Sequence, residues 1–167
     1  MIAKKTFQVS ILILTLCLFS SSLGAQYKST TESSKSERKQ HLLTNIIETI
    51  SNMKGEIHPF MFTFVDHIPY FDELGKLIDE DSDFGHSVIE ILVDNLDNLN
   101  PSKVTNKGKV VPLGVACYEV LRTIVCYEGD IDEKFPHVIL PNATADQLRS
   151  AKREWQKIVK KKWYIFL

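Results

Sequence analysis

Two cysteines, Cys117 and Cys126, stand nine residues apart in the stretch ACYEVLRTIVCYEG. Thiols can form a disulfide, bind zinc, act as nucleophiles or simply pack. On a helix, nine residues turn the chain through about 900° and advance it about 13 Å, so the pair points to opposite sides. A disulfide needs Cα atoms within about 7 Å. A continuous strand fails as well, because an odd separation puts the two on opposite faces. No Gly or Pro lies between them to fold one back on the other, so no Cys117–Cys126 bond is expected. Cys117 falls among Tyr118, Val120, Leu121, Ile124 and Val125 and reads as a small buried hydrophobe. Cys126 falls beside Glu119, Arg122 and Thr123 on the polar side. There it is exposed, covered by the tail, or paired with another chain. Zinc wants close Cys or His pairs, which this spacing does not supply. A thiol nucleophile needs a histidine near it in space, and no motif singles out one of His41, His58, His67, His86 and His137.

The second candidate is the acidic run Asp79-Glu80-Asp81-Ser82-Asp83-Phe84-Gly85. Asp79, Asp81, Asp83, Ser87 and Glu90 match the oxygen-ligand positions of a twelve-residue calcium loop. The sixth place, which needs Gly for a sharp turn, holds Phe84, and His86 occupies the usual aliphatic eighth place. The competing reading, which we prefer, is an acidic helix entrance, with Asp81 and Asp83 capping the helix and facing its dipole. No phosphate loop, nucleophile elbow, HExxH or GxGxxG occurs. Scattered acids can furnish a hydrolase pair, but no spacing marks one. Asn142-Ala143-Thr144 is a glycosylation sequon that also reads as a turn and helix cap. No catalytic, cofactor or metal residue is assigned from the sequence, and no cofactor is implied.

The elements that must position these residues begin with a targeting segment. Lys4 and Lys5 precede the apolar run Val9 to Phe19, and Ser20 to Ala25 are mostly small. This three-part pattern predicts a signal peptide over 1–25, cleaved after Ala25 or Gly24. An uncleaved anchor is the alternative, although Gln8, Ser10 and Thr15 interrupt a run barely long enough to span. Leu14-Thr15-Leu16-Cys17 also loosely fits a lipoprotein signal. Residues 26–40 carry one aromatic and no aliphatic side chain, and are expected to form a flexible polar leader. Residues 41–167 are then one globular domain.

Within that domain, Leu42, Leu43, Ile46, Ile47, Ile50 and Met53 recur at helical spacing. Pro59 to Pro69 is an ambiguous apolar run, a strand or a helix starting at Pro59. Pro69 opens a short helix. Ser82 or Asp83 caps a helix carrying Val88, Ile89, Leu92, Leu96 and Leu99, closed by Pro101. Short β-prone runs around Asn106-Lys107-Gly108 predict a hairpin. A helix follows from Gly114 to Glu128, and then a loop with a short strand at Val138 to Leu140. Thr144-Ala145-Asp146-Gln147 fits a capping box. The helix behind it turns Leu148, Ala151, Trp155, Ile158 and Val159 inward. The expected fold is mainly α, with about five helices and a small β-hairpin; the alternative is α+β with a small antiparallel sheet. The apolar tail Trp163 to Leu167 is expected to dock, as a strand beside the hairpin or against the Phe60–Phe64 cluster. A membrane-interface anchor is its rival reading.

Charge is segregated. Asp66 to Asp97 holds ten acidic residues and one base, Lys76, whereas Arg149 to Lys162 holds seven bases and one acid, Glu154. The net charge of −1 argues against a general nucleic-acid partner. The basic helix is a solvated face, a surface for an acidic protein or anionic lipid, or a partner for the acidic stretch within the fold. Export, size and the lack of a catalytic signature point to a non-enzymatic binding or interaction module, periplasmic or secreted. A small exported hydrolase and a calcium-responsive module are the alternatives.

Overall fold

The computed structural model describes residues 34–58, 61–64, 66–126, 139–161 and 165–166. The expected signal peptide, the leader as far as residue 33, the loop 127–138 with His137, and Trp163, Tyr164 and Leu167 of the tail lie outside the described residues. So do residues 59, 60 and 65. The chain divides after Gln40 into two units. In the first, residues 34–40 are helical, and they open helix α1, over residues 34–52. Their Lys, Glu, Arg and Gln side chains are good helix formers, and extending a helix needs no new nucleus.

The second unit contains the rest of α1 and ten further elements. These are β1 (Gly55–His58), β2 (Met61–Phe64), α2 (Ile68–Glu80), α3 (Ser82–Asp94), β3 (Pro101–Asn106), β4 (Lys109–Pro112), α4 (Leu113–Ile124), β5 (Val125–Cys126), α5 (Ala145–Lys161) and β6 (Ile165–Phe166). Five helices and a small sheet make the domain mainly helical. The sheet is larger than one hairpin: four strands lie in the order β2-β1-β3-β4. The expected hairpin is its β3–β4 half. Lys107 and Gly108 form the two-residue turn with φ of 49° and 74°, the doubly positive geometry that suits the right-handed twist of paired strands. The other half is β1 and β2, antiparallel to each other, with β1 running parallel to β3 through Gly55↔Val104 and Glu56↔Thr105. The sheet is therefore mixed, which also corrects the purely antiparallel alternative. The ambiguous phenylalanine run resolves as a strand over Met61–Phe64.

The amphipathic helices build the core. Leu42, Ile46 and Ile50 of α1, Met53 just after it, Leu74, Leu77 and Ile78 of α2, and Val88, Ile89 and Leu92 of α3 are buried together. Leu148, Ala151, Trp155 and Ile158 of α5 join them. Pro69 lies in the first turn of α2. The α3 cap is Asp81, whose Oδ1 accepts from the amides of Asp83 and Phe84 at 3.0 and 3.1 Å, rather than Ser82 or Asp83. The α5 capping box forms as expected: the Thr144 amide donates to Gln147 Oε1 at 2.7 Å, and the Gln147 amide donates to Thr144 Oγ1 at 3.3 Å.

Helix α4 is buried on every side from Leu113 to Leu121, as a helix that is apolar all round must be. It ends at Ile124, four residues before the expected stop. The β-branched residues Thr123, Ile124 and Val125 suit extended backbone, and Val125–Cys126 pair antiparallel with Ile165–Phe166. Cys126 thus lies on a strand and not on a polar helix face. The tail does add a strand, but beside β5 instead of the hairpin. Cys117 is free and fully buried. No helix among the described residues is long and apolar enough to cross a membrane.

Candidate functional site: a cleft between the sheet and α4

The parallel pairing of β1 with β3 sets Glu56 beside the hairpin turn. The Lys107 amide donates to Glu56 Oε1 at 2.7 Å, and the Thr105 hydroxyl donates to Oε2. Asn106 Nδ2 donates to the Ile57 carbonyl at 2.6 Å, fixing the turn to the central strand. Opposite, the last turns of α4 present Glu119 and Arg122. Between these elements lies a cavity of about 410 Å³. Glu56, His58, Asn106, Lys107, Glu119 and Arg122 form its polar wall, and Ile57, Ile139, Leu140 and Pro141 its apolar wall.

Glu119 is the unusual member. It is 2 % exposed and the only buried acidic or basic residue among those described. Its Oε2 accepts no hydrogen bond. Arg122 Nε stands 3.6 Å away, within ion-pair range but beyond a hydrogen bond. Burial pushes the Glu119 carboxyl above its ordinary value of 4.5, and the Arg122 charge offsets this only in part. Glu56 moves the other way. The Thr105 hydroxyl, and then the Lys107 amide, hold it below 4.5 against a smaller desolvation cost. The cleft therefore pairs an acid that favours its neutral form with one that favours its charge. Arg122 is one-third exposed, and its guanidinium makes no hydrogen bond among the described residues.

Other residues singled out in the sequence are not brought together. Asp79 lies in the last turn of α2, Asp81 is committed to its cap, Asp83 and Glu90 lie on α3, and the Ser87 hydroxyl donates to the Asp83 carbonyl at 3.1 Å. Two helices joined through one residue replace the loop that calcium ligation needs. Among the described residues no group of three or more His, Cys, Asp or Glu converges on a metal position. His58 lines the cleft, His67 is the left-handed N-cap of α2 with φ 59°, and His86 lies within α3. The basic helix does meet the acidic stretch. Lys152 Nζ donates to Asp97 Oδ1 at 2.9 Å and to the Asp94 carbonyl at 2.7 Å, and Gln156 Nε2 donates to Asp94 Oδ1 at 3.2 Å. A second, smaller groove of about 310 Å³ lies there, lined by Glu90, Val93, Asp94, Gln156, Val159 and Lys160.

The sequence reading put Glu119 on a polar helix face with Arg122 and Thr123. The flanking run Val115-Ala116-Cys117-Tyr118 and Val120-Leu121 was the available sign that this acid is enclosed. Glu56 gave no such sign, since its partners lie about fifty residues away in the chain. No family model, curated protein or solved structure matches the chain.

Proposed function

We propose that the chain is a small exported binding module that takes a small ligand in the cleft between β1, the Lys107–Gly108 turn and α4. The observation that carries this reading is Glu119: an acid 2 % exposed that lines a 410 Å³ cavity and has one carboxyl oxygen without a hydrogen bond. An unmatched buried polar atom is costly, and a ligand that supplies its partner recovers that cost on binding. The volume lies within the roughly 300–1,000 Å³ usual for small-molecule sites, and the mix of apolar wall and a few polar groups is also typical of them. Backbone amide NMR of the mature protein against a library of small fragments tests it. Binding fragments should shift the amides of Glu56 to His58, Asn106, Lys107 and Glu119 to Arg122. Shifts scattered over the surface, or none, would refute the reading.

One observation favours a second reading, a small exported hydrolase. Environments that push two carboxyls apart are how acid and base roles are divided in many enzymes, and Glu119 and Glu56 are so divided. Against it, both Glu56 oxygens already accept hydrogen bonds from Thr105 and Lys107. Turnover of an ester or glycoside substrate that Glu56→Gln abolishes would replace the binding reading with this one.

A further inference from the structure

Resting on the binding-module reading, we infer that the cleft's ligand is a small free monocarboxylate with an apolar body. Its carboxylate lies against Arg122 and the Glu119 carboxyl, and its body lies on Ile57, Ile139, Leu140 and Pro141. The first argument is which groups remain uncommitted. Glu56 is engaged through both oxygens, and the Asn106 amide donates to the Ile57 carbonyl. Neither the Lys107 ammonium nor the Arg122 guanidinium makes a hydrogen bond among the described residues. What the polar wall still offers is two cations and one acid. A planar guanidinium, two-thirds withdrawn from water, matches a carboxylate through paired N–H donors.

The second argument is Glu119 itself. In its protonated form its O–H donates to an anion beside Arg122; ionised, it would repel that anion and compete for the same guanidinium. The third is the opposite wall. Leu140 is exposed although it is a large aliphatic side chain, and it borders the cleft with Ile57, Ile139 and Pro141. An aliphatic or aromatic ligand body covers it. A doubly charged phosphate would bring more charge than these groups balance, with Glu56 also ionised on the same wall.

Binding should therefore be linked to the proton on Glu119. The charged and titratable groups about that carboxyl are Tyr118 and Arg122 on its own helix, and Glu56, His58 and Lys107, which line the same cleft. His58 lines the same cleft, so it needs its own control.

The experiment is calorimetry combined with amide NMR on the mature chain, using hexanoate, hexanamide and hexylamine as probes at about pH 5.5 and about pH 8, both above the usual glutamate range. Hexanoate should bind at the cleft at least about tenfold more tightly than either analogue, a difference well within calorimetric reach. It should bind more tightly at the lower pH. Glu119→Gln, whose amide N–H donates at every pH, should flatten that dependence while keeping hexanoate affinity. His58→Gln should leave most of the dependence in place, and Arg122→Gln should remove binding with cooperative unfolding retained. Preference for hexylamine or hexanamide at the cleft, or tighter hexanoate binding at high pH, overturns the carboxylate assignment and leaves a binding cleft standing. If no probe or library fragment shifts cleft amides, the binding reading falls with it. Shifts from a peptide C-terminal carboxylate but not from hexanoate would overturn the free-acid assignment.

Discussion

A carboxyl withdrawn from water costs far more when it is ionised than when it is neutral, so Glu119 should make the protein's stability fall with rising pH. Below about pH 4.5, its ordinary value, it is protonated in both folded and unfolded chains and adds no pH-dependent cost. Above that, the unfolded chain releases the proton while the folded chain keeps it, and stability declines until the raised folded value is passed. Glu119→Gln has no proton to lose. The variant should gain on the native protein progressively from about pH 4.5 upward, in urea unfolding measured across the pH range. A constant difference at all pH values would show that the carboxyl is not shifted. Glu56 contributes in the opposite sense. Its lowered value adds stability above about pH 4.5, which is lost as pH falls through the folded value. Cys117 is the other residue whose burial sets its chemistry: its thiol is pushed up to about 12. A native-state thiol assay should leave it unmodified, and a linked Cys117–Cys126 peptide in mass spectrometry would contradict both its burial and the run of α4. That Cys117 packs was legible from its apolar neighbours. That Glu119 packs was not, because the wheel also grouped it with Arg122 and Thr123, and only the cover from beyond the helix decides between the two.

Elements with a strong period were readable one by one. The α5 capping box, the Pro69 start of α2 and the Lys107–Gly108 turn each follow from chemistry within a few residues. What was not readable is what a short segment does when its partner is distant. β1 has one buried residue, Ile57, in four, too little pattern to announce a strand. It is held between β2, its antiparallel neighbour in the chain, and β3, which pairs with it in parallel from nearly fifty residues on. The last turn expected of α4 was likewise lost to a tertiary competitor, the β5–β6 pair. Two glycines separate these levels experimentally. Gly114 lies where α4 crosses the end of the α3 segment, its amide donating to the Asn98 carbonyl at 2.9 Å. A Cβ there would sit 2.7 Å from the Leu96 carbonyl carbon and closer still to its oxygen. Backbone cannot rotate aside as a side chain can, so Gly114→Ala should cost about 1–3 kcal/mol or more. Thermal melting should fall by about 4 °C for each kcal/mol in a domain near this size. Gly75, inside α2, has nothing within 4 Å of a would-be Cβ. Gly75→Ala should raise stability by about 1 kcal/mol through helix propensity alone. If both changes prove neutral, the close approach of α4 to Leu96 is wrong.

At the scale of the whole molecule, the chain's last described residues return to its middle. β6 pairs with β5 through Val125↔Phe166 and Cys126↔Ile165, so the end of the chain after α5 is held beside the end of α4. Segregated charge supports a related association: Lys152 and Gln156 of α5 bind the Asp94–Asp97 end of the acidic stretch. The basic helix thus spends part of its charge inside the fold, leaving less for an acidic partner or a lipid surface. The same apolar tail, following Lys160 to Lys162, has the composition of an interfacial anchor, and the strand pairing and the anchor make opposite claims on it. Comparing the mature chain with one ending at Trp163 distinguishes them. Backbone hydrogen bonds of the lost pair contribute about 1 kcal/mol each, and Val125, now fully buried, loses its neighbouring strand. The shortened chain should melt lower by several degrees, on the order of 4 °C per kcal/mol, and the Val125 amide should exchange with solvent faster. Its affinity for vesicles of anionic lipid should not change. Unchanged melting together with lost vesicle binding would mean that the tail is held by membrane and not by β5.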